Sequence, residues 1–223
     1  TKPIIDNSDP FAALAFRFFF VALGFLVFSV YSKYSIIIKR KNLIESVLSG
    51  ILFHGLYLGG VFYSISIGMP TSIAALIVTL QPILTNILSG PILNEKVTLK
   101  QWIGVLLGFL GATLVLGLDL GSKIPLLGLV ATLIALISIT ASTIWQKKLS
   151  NNLPLSVSNF YQAVGGCFFH ILVVIFFAKP YIAFTKTFFL SMGHQIFLVS
   201  FGAFTILMFL IKKNSASKTV SIF

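Results

Sequence analysis

The sequence predicts an all-α polytopic membrane protein, a helical bundle of two inverted repeats with about seven transmembrane helices present. Three observations carry that expectation. Hydrophobic residues make up 57% of the 223 and charged residues only 9%, against roughly 25% charged in a soluble domain. The mean hydropathy of +1.01 fits a chain whose solvent is mostly lipid. The apolar residues also fall into runs of about 20, the length that crosses a bilayer core. Backbone polar groups in lipid must be satisfied within the segment, so such runs are helices. They are too long and too evenly apolar for barrel strands, which alternate over about ten residues.

Each run has its own punctuation. The first, about 11–31, opens behind Asp9-Pro10. The second, about 46–67, ends at Gly68-Met69-Pro70, a very tight turn into the third, about 70–92. Asn94-Glu95-Lys96 closes the third, and the fourth follows at about 101–118. Gly117 to Pro125 separates it from the fifth, about 125–145. Ser150 to Pro154 introduces the sixth, about 156–178, and the seventh covers about 188–211.

Charge orients these runs. The chain carries 16 Lys and Arg against five Asp and Glu, a net charge of +11. Too little polar surface remains for a nucleic-acid binder, so the expected partner of the surplus is anionic lipid headgroups. If the loop between the first two runs is inside, that side collects Lys33, Lys39, Arg40, Lys41, Lys96, Lys100, Lys147, Lys148, Lys212, Lys213 and Lys218. The other side holds Lys2, Lys123, Lys179 and Lys186, and Arg17 lies within a run. This asymmetry is a positive-inside signal. It places Thr1 outside and Lys212 inside, with Trp102 and Trp145 as belt anchors near the inner boundary. Cys167 is the only cysteine, so no disulfide framework or zinc finger is expected. No cleavable signal pattern opens the chain, where residues 1–10 are polar. The chain starts with Thr and stops as another apolar run opens, from which one further helix is expected before Thr1 and at least one after Phe223.

Sliding the chain against itself by about 146 residues lays Gly68 to Ile77 over Asn214 to Phe223. Near the same offset Asp9-Pro10 to Phe16-Arg17 lies over Pro154 to Tyr161-Gln162. Gly68 falls on the uncharged side and Asn214 among Lys212, Lys213 and Lys218. The two copies therefore have opposite orientation, the inverted-repeat design of many secondary transporters.

Specific residues then carry a resemblance. These are Ala13 with Arg17-Phe18, Tyr63 to Gly68 leading to Ala74-Ala75, Leu80-Gln81-Pro82, Asn94-Glu95-Lys96, and Gln101 to Gly104 with Gly108 and Gly111-Ala112. The second half offers Phe160-Tyr161-Gln162 and Ser215-Ala216-Ser217. With these the chain resembles the EamA-type transporters of the drug/metabolite transporter superfamily. The resemblance implies ten helices in two five-helix halves, here residues 1–118 without the first helix and 119–223 without the last helices. It implies a carrier, an exporter of a small organic solute such as an amino acid, a metabolite or a drug-like compound. It also implies no cofactor, and a location in a bacterial cytoplasmic membrane.

Few residues can carry such chemistry. Arg17 is the one cation well inside a run, about six residues or 9 Å deep at 1.5 Å per residue. An intramembrane charge costs at least about 2.5 kcal/mol and is a functional hypothesis by default; the other option is snorkelling outward. If it faces a cavity, it can bind a substrate carboxylate or a backbone carbonyl. In the third run Pro82 removes the hydrogen bond to the Val78 carbonyl. Thr79, Gln81, Thr85 and Asn86 surround it, with 79, 82 and 86 on one face and 81 and 85 on a neighbouring one. A polar, kinked mid-membrane helix suits a solute site, although polar residues in bundles also hydrogen-bond between helices with no ligand. His54, Tyr57, Tyr63, Tyr161 and Gln162 are further cavity candidates, with core packing as the alternative for each. Pro82 is expected to shape its helix and Glu95 to tie down a loop. Gly104, Gly108 and Ala112 form a small-residue stripe that lets a helix or second subunit approach, so a dimer is one open option. Most of the 23 Phe are expected to face lipid.

Other functions fit less well. An intramembrane hydrolase needs a nucleophile in context or His-Glu-x-x-His, and neither that motif nor Gly-x-Ser-x-Gly occurs. A retinal photoreceptor needs a mid-helix Lys. No carboxylate lies mid-run to relay protons, and the histidines have no metal-ligand spacing. A channel or a scaffold protein is the remaining alternative, without the filter-like loops or charged rings a channel wants.

Overall fold

The computed structural model describes residues 2–116, 124–149, 153–177, 180–213 and 219. Asp119, Lys123, Lys179 and Lys218 lie outside them, as do the 118/119 repeat boundary and Asn214 to Ser217. The described chain is an all-α polytopic membrane protein. Six helices are long and apolar enough to span: α1 (Pro10–Tyr31), α2 (Arg40–Ser66), α3 (Thr71–Leu93), α5 (Leu126–Leu149), α6 (Leu155–Phe177) and α7 (Lys186–Lys213). Between them α4 (Leu99–Leu116) is shorter. All seven fall on the runs read from the sequence. The largest discrepancy is α2, which starts six residues before the apolar pattern, in the polar stretch from Arg40.

The ends follow local chemistry. Asp9 Oδ1 accepts from the backbone N–H groups of Phe11 and Ala12 at 3.0 and 2.8 Å, with Pro10 in the first turn. Gly68 takes φ +96° after α2. Its N–H donates to the Ile65 carbonyl at 3.1 Å and that of Met69 to the Ser64 carbonyl at 2.9 Å, a left-handed cap that only glycine adopts without strain. Asn94 caps α3 with φ 56°. Thr98 and Gln101 open α4 as a reciprocal capping box.

Three helices depart from α geometry. Residues Ile51–Tyr57 of α2 and Gln195–Ala203 of α7 are π-helical. Helix α3 breaks at Thr79-Leu80 into Thr71–Val78 and Gln81–Leu93. Pro82 follows in the first turn of the second piece, so the missing donor that the sequence predicts coincides with the break.

Helices α1 and α6 pack against each other along their length, and α6 also covers α2. The α2–α6 crossing is close because it is lined by glycine. A Cβ on Gly50 would fall 2.0 Å from the Gln162 carbonyl oxygen, and one on Gly165 2.4 Å from that of Val47. By contrast, a Cβ on Gly104 or Gly108 would meet nothing within 4 Å among the described residues. Helix α4 exposes Leu106, Leu107, Leu110 and Leu114 and buries Val105.

The ends of the bundle are distinct. The Tyr161 hydroxyl donates to the Ile36 carbonyl at 2.9 Å, Lys147 Nζ to Ile211 at 3.0 Å, and Lys212 Nζ to Leu153 at 3.4 Å. One end therefore gathers the α1–α2 loop, the end of α5, the start of α6 and the end of α7. At the other end Asp9 N–H donates to the Tyr181 carbonyl and Ala183 N–H to that of Asn7, both at 2.8 Å. There the turn Lys2–Ile5 packs on the last part of α2 and the first part of α7. Helices α2 and α7 thus run in opposite directions.

The outside of the bundle is an apolar belt: Phe19, Phe28, Phe176, Phe177 and Phe197 are all more than half exposed. Ten of the 22 described phenylalanines are exposed, while Phe18, Phe25, Phe53, Phe62, Phe188 and Phe204 are buried. Aromatic rings thus also fill the interior, including the space between the widened helices α2 and α7.

Candidate functional site

The two π-helical segments face one cavity. Its volume is about 350 Å³, and its walls come from α1, α2, α3, α5 and α7, within the ~300–1,000 Å³ range of small-molecule sites. Arg17 enters from α1. It is 4% exposed, so it does not snorkel to the membrane surface. Its Nε and Nη2 donate to Ser200 Oγ at 3.1 and 2.9 Å, and its guanidinium carbon stands 5.2 Å from the Phe18 ring centroid. Ser200 sits inside the α7 π-segment. Opposite, the α2 π-segment supplies Phe53, His54 and Tyr57.

His54 is also 4% exposed, and its Nδ1 has no partner among the described residues. Its ring lies between those of Phe18 and Phe204, at 4.4 and 4.7 Å. Its backbone carbonyl faces Nε2 of His170 on α6 at 2.9 Å. Phe53 stacks edge-on against Tyr57 at 5.5 Å and lies 5.0 Å from Phe204, so one wall is aromatic. Gln81, just past the α3 break, lines the cavity and donates to Thr143 Oγ1 at 3.0 Å. Gln195 closes the polar side from α7.

The structure thus brings Arg17, His54, Tyr57 and Gln81 together. The other sequence candidates lie elsewhere. Thr79 donates to the Leu76 carbonyl at 2.7 Å, within the break. Thr85 and Asn86 are buried on the second piece of α3, which packs on α5. Tyr63 sits near Phe11, ring centroids 6.0 Å apart. Tyr161 holds the α1–α2 loop. Gln162 is fully buried and forms a reciprocal amide pair with Gln146 of α5, one bond at 3.1 Å, with Ser158 as a third partner at 3.0 Å. Glu95 is half-buried at the end of α3, its N–H donating to the Ser89 carbonyl at 3.3 Å.

Ser200 and Gln195 were not singled out from the sequence, although a signal exists. At the 146-residue offset of the internal repeat, Ser200 stands opposite His54 and Gln195 opposite Ser49. The polar side of α5 also went unread. Ser138, Thr140, Ser142, Thr143 and Gln146 are all buried, and Ser142 bonds Ser49 of α2 with 3.2 Å between hydroxyls. The signal was a cluster of small hydroxyl residues inside an apolar run.

A wider groove of about 790 Å³ lies between α1 and α7 at the lysine-rich end. It is the weaker candidate for a solute site, since its lining is mostly apolar and its cations, Lys212 and Lys213, are exposed.

Comparison with known proteins agrees with this architecture. The chain is 25% identical over 172 residues to the uncharacterized transporter YvbV of Bacillus subtilis (strain 168), covering 72% of this chain and 55% of that protein. It is 27% identical over 194 residues to the uncharacterized transporter YyaM of the same organism, covering 80% and 60%. The chain therefore spans little more than half the length of these curated relatives. A solved crystal structure superposes with a TM-score of 0.77 at 18% identity, over 96% of this chain and 73% of that one, and shows a shared fold. Residues 1–117 match the EamA-like transporter family, and the chain belongs to that family.

Proposed function

We propose that this chain supplies the helices around the solute site of a secondary transporter. In this reading it carries a small organic solute, such as an amino acid, a metabolite or a drug-like compound, outward by alternating access. The lysine-rich end faces the cytoplasm, and residues 1–118 and 119–223 belong to oppositely inserted halves. The observation that carries the reading is the cavity between the two π-helical segments. They stand about 145 residues apart, on α2 and α7, the two helices that the internal repeat lays over each other. They run antiparallel, and they face each other across Arg17. π-Segments concentrate at functional sites because a wide turn leaves the helix locally deformable. Two of them at corresponding positions give each half a point at which to bend about a fixed site.

The test uses the full-length protein in proteoliposomes with a panel of radiolabelled amino acids, aromatic acids and amphipathic drugs. At least one solute should enter saturably and exchange against the same solute loaded inside. Arg17→Ala should lower that rate at least about tenfold, the effect of losing one charged hydrogen-bonding partner. Flux linear in concentration, with no exchange, would make the protein a channel and reject the carrier reading.

A further inference from the structure

Resting on the carrier reading, we infer that the cavity selects organic monoanions: a carboxylate bound by Arg17, with an apolar tail against the aromatic wall, in preference to amines and zwitterionic amino acids. Among the described lining residues Arg17 is the one Lys, Arg, Asp or Glu, and no described carboxylate balances it. A guanidinium has five N–H donors. Two atoms of Arg17 share the single neutral oxygen of Ser200. None of the described carboxylates forms an ion pair with it. Asp9 caps α1, Glu45 lies 4.0 Å from Lys41, Glu95 ends α3, and Asp6 is in the amino-terminal segment. A buried cation held this way lacks the anion that normally accompanies burial. A planar fork of N–H groups matches a carboxylate in particular.

Ser200 has a positioning role. By accepting from Nε and Nη2 it fixes one edge of the guanidinium, which leaves Nη1 and the second Nη2 hydrogen for a ligand. The rest of the lining suits the tail. Phe53, Tyr57, Phe62 and Phe204 are aromatic, while Gln81, Gln195 and His54 offer polar atoms. At about 30 Å³ per water-sized group, 350 Å³ holds on the order of ten non-hydrogen atoms. An ammonium group would meet the field of Arg17 with no acidic partner in the described lining, so an α-amino group should weaken binding of an otherwise matching acid.

Three probes with one carbon skeleton test this on the full-length protein in detergent, by competition against the transported solute: 3-phenylpropanoate, 3-phenylpropanamide and 3-phenylpropylamine. The acid should bind about ten- to a hundredfold more tightly than the amide, the difference made by a charged hydrogen bond, and the amine most weakly. Phenylalanine should fall at least tenfold behind 3-phenylpropanoate. In Arg17→Gln the acid should lose its advantage while the amide still binds, which also shows that the variant folds. Should Arg17→Gln not fold, Ser200→Ala should narrow the acid-to-amide ratio several-fold. Equal binding of acid and amide by the native protein, or an acid preference that survives Arg17→Gln, would overturn the anion assignment and leave the carrier intact. Absence of saturable transport for the whole solute panel would instead remove the carrier reading.

Discussion

At the scale of single residues, the interior is organised by polar groups that have found one another. Gln146 and Gln162 exchange amide hydrogen bonds across α5 and α6, with Ser158 as the third member. Both glutamines are buried, at 2% and 0% exposure. A buried amide that loses its partner costs about 1–3 kcal/mol, whereas removing both partners is close to neutral. Gln146→Leu should therefore lower the unfolding temperature of the full-length protein in detergent, and Gln146→Leu with Gln162→Leu should recover most of the loss. A double variant as unstable as the sum of the singles would show that the pair is not an energetic unit. Legibility differs sharply between residues at this scale. Arg17 could be picked out because a lone cation in an apolar run must either snorkel outward or face a polar interior. Ser200 is marked only by its place opposite His54 in the internal repeat, because a serine in a membrane helix usually satisfies itself on its own backbone. Its importance comes from a partner 183 positions away. Gln162 carried the same uncertainty in reverse: its polarity marked it as a cavity residue, and only the position of Gln146 shows it spent on helix packing.

Among the elements, the helices were readable and their irregularities mostly were not. Hydrophobic runs, Asp9-Pro10 and the Gly68 turn locate the spans, since length and capping are local properties. The α3 break was also local, because Pro82 announces a missing donor. The π-segments have no such marker. They depend on what the neighbouring helices leave room for, and Ile51–Tyr57 contains no proline. Helix crossings show the same limit. Gly104 and Gly108 carry the conspicuous small-residue spacing, yet the described close crossing uses Gly50 and Gly165, whose spacing signals nothing until α2 and α6 are side by side. This contrast gives a paired prediction. Gly50→Ala puts a methyl 2.0 Å from a backbone oxygen and should destabilise the protein by about 1–3 kcal/mol, the range for overpacking. Gly104→Ala meets open space, so thermal unfolding should be unchanged or slightly improved by the better helix former. Equal damage from both would mean that another helix or a second subunit covers α4 in the full-length protein.

For the whole molecule, one physical contrast governs the architecture: apolar bulk outside, polar contacts inside, and cations gathered at one end. The exposed aromatic and aliphatic belt far exceeds the patch of a few hundred Å² that a soluble monomer tolerates. Buried hydroxyls and amides on α2, α5 and α6 replace the hydrophobic driving force that lipid cannot provide between helices. Charge is what supports the proposed orientation. The described lysine-rich end holds the α1–α2 loop with Lys33, Lys39 and Lys41, the end of α5 with Lys147, and the end of α7 with Lys212 and Lys213. Electrostatic attraction to anionic lipid and the insertion bias against translocating cations both favour this end on the inside. Cys167 is the only cysteine of residues 1–223 and is buried against the Ala15 carbonyl, so Cys167→Ala, with any cysteine outside these residues also replaced, provides a background for labelling. In that background Asn7→Cys and Ser35→Cys mark opposite ends of α1. A membrane-impermeant maleimide added to intact cells should label Asn7→Cys directly, and Ser35→Cys only after the membrane is opened. Labelling of both from one side would contradict the span assignment of α1. The reverse pattern would keep the bundle but turn it over, and the proposed outward direction of transport would turn over with it.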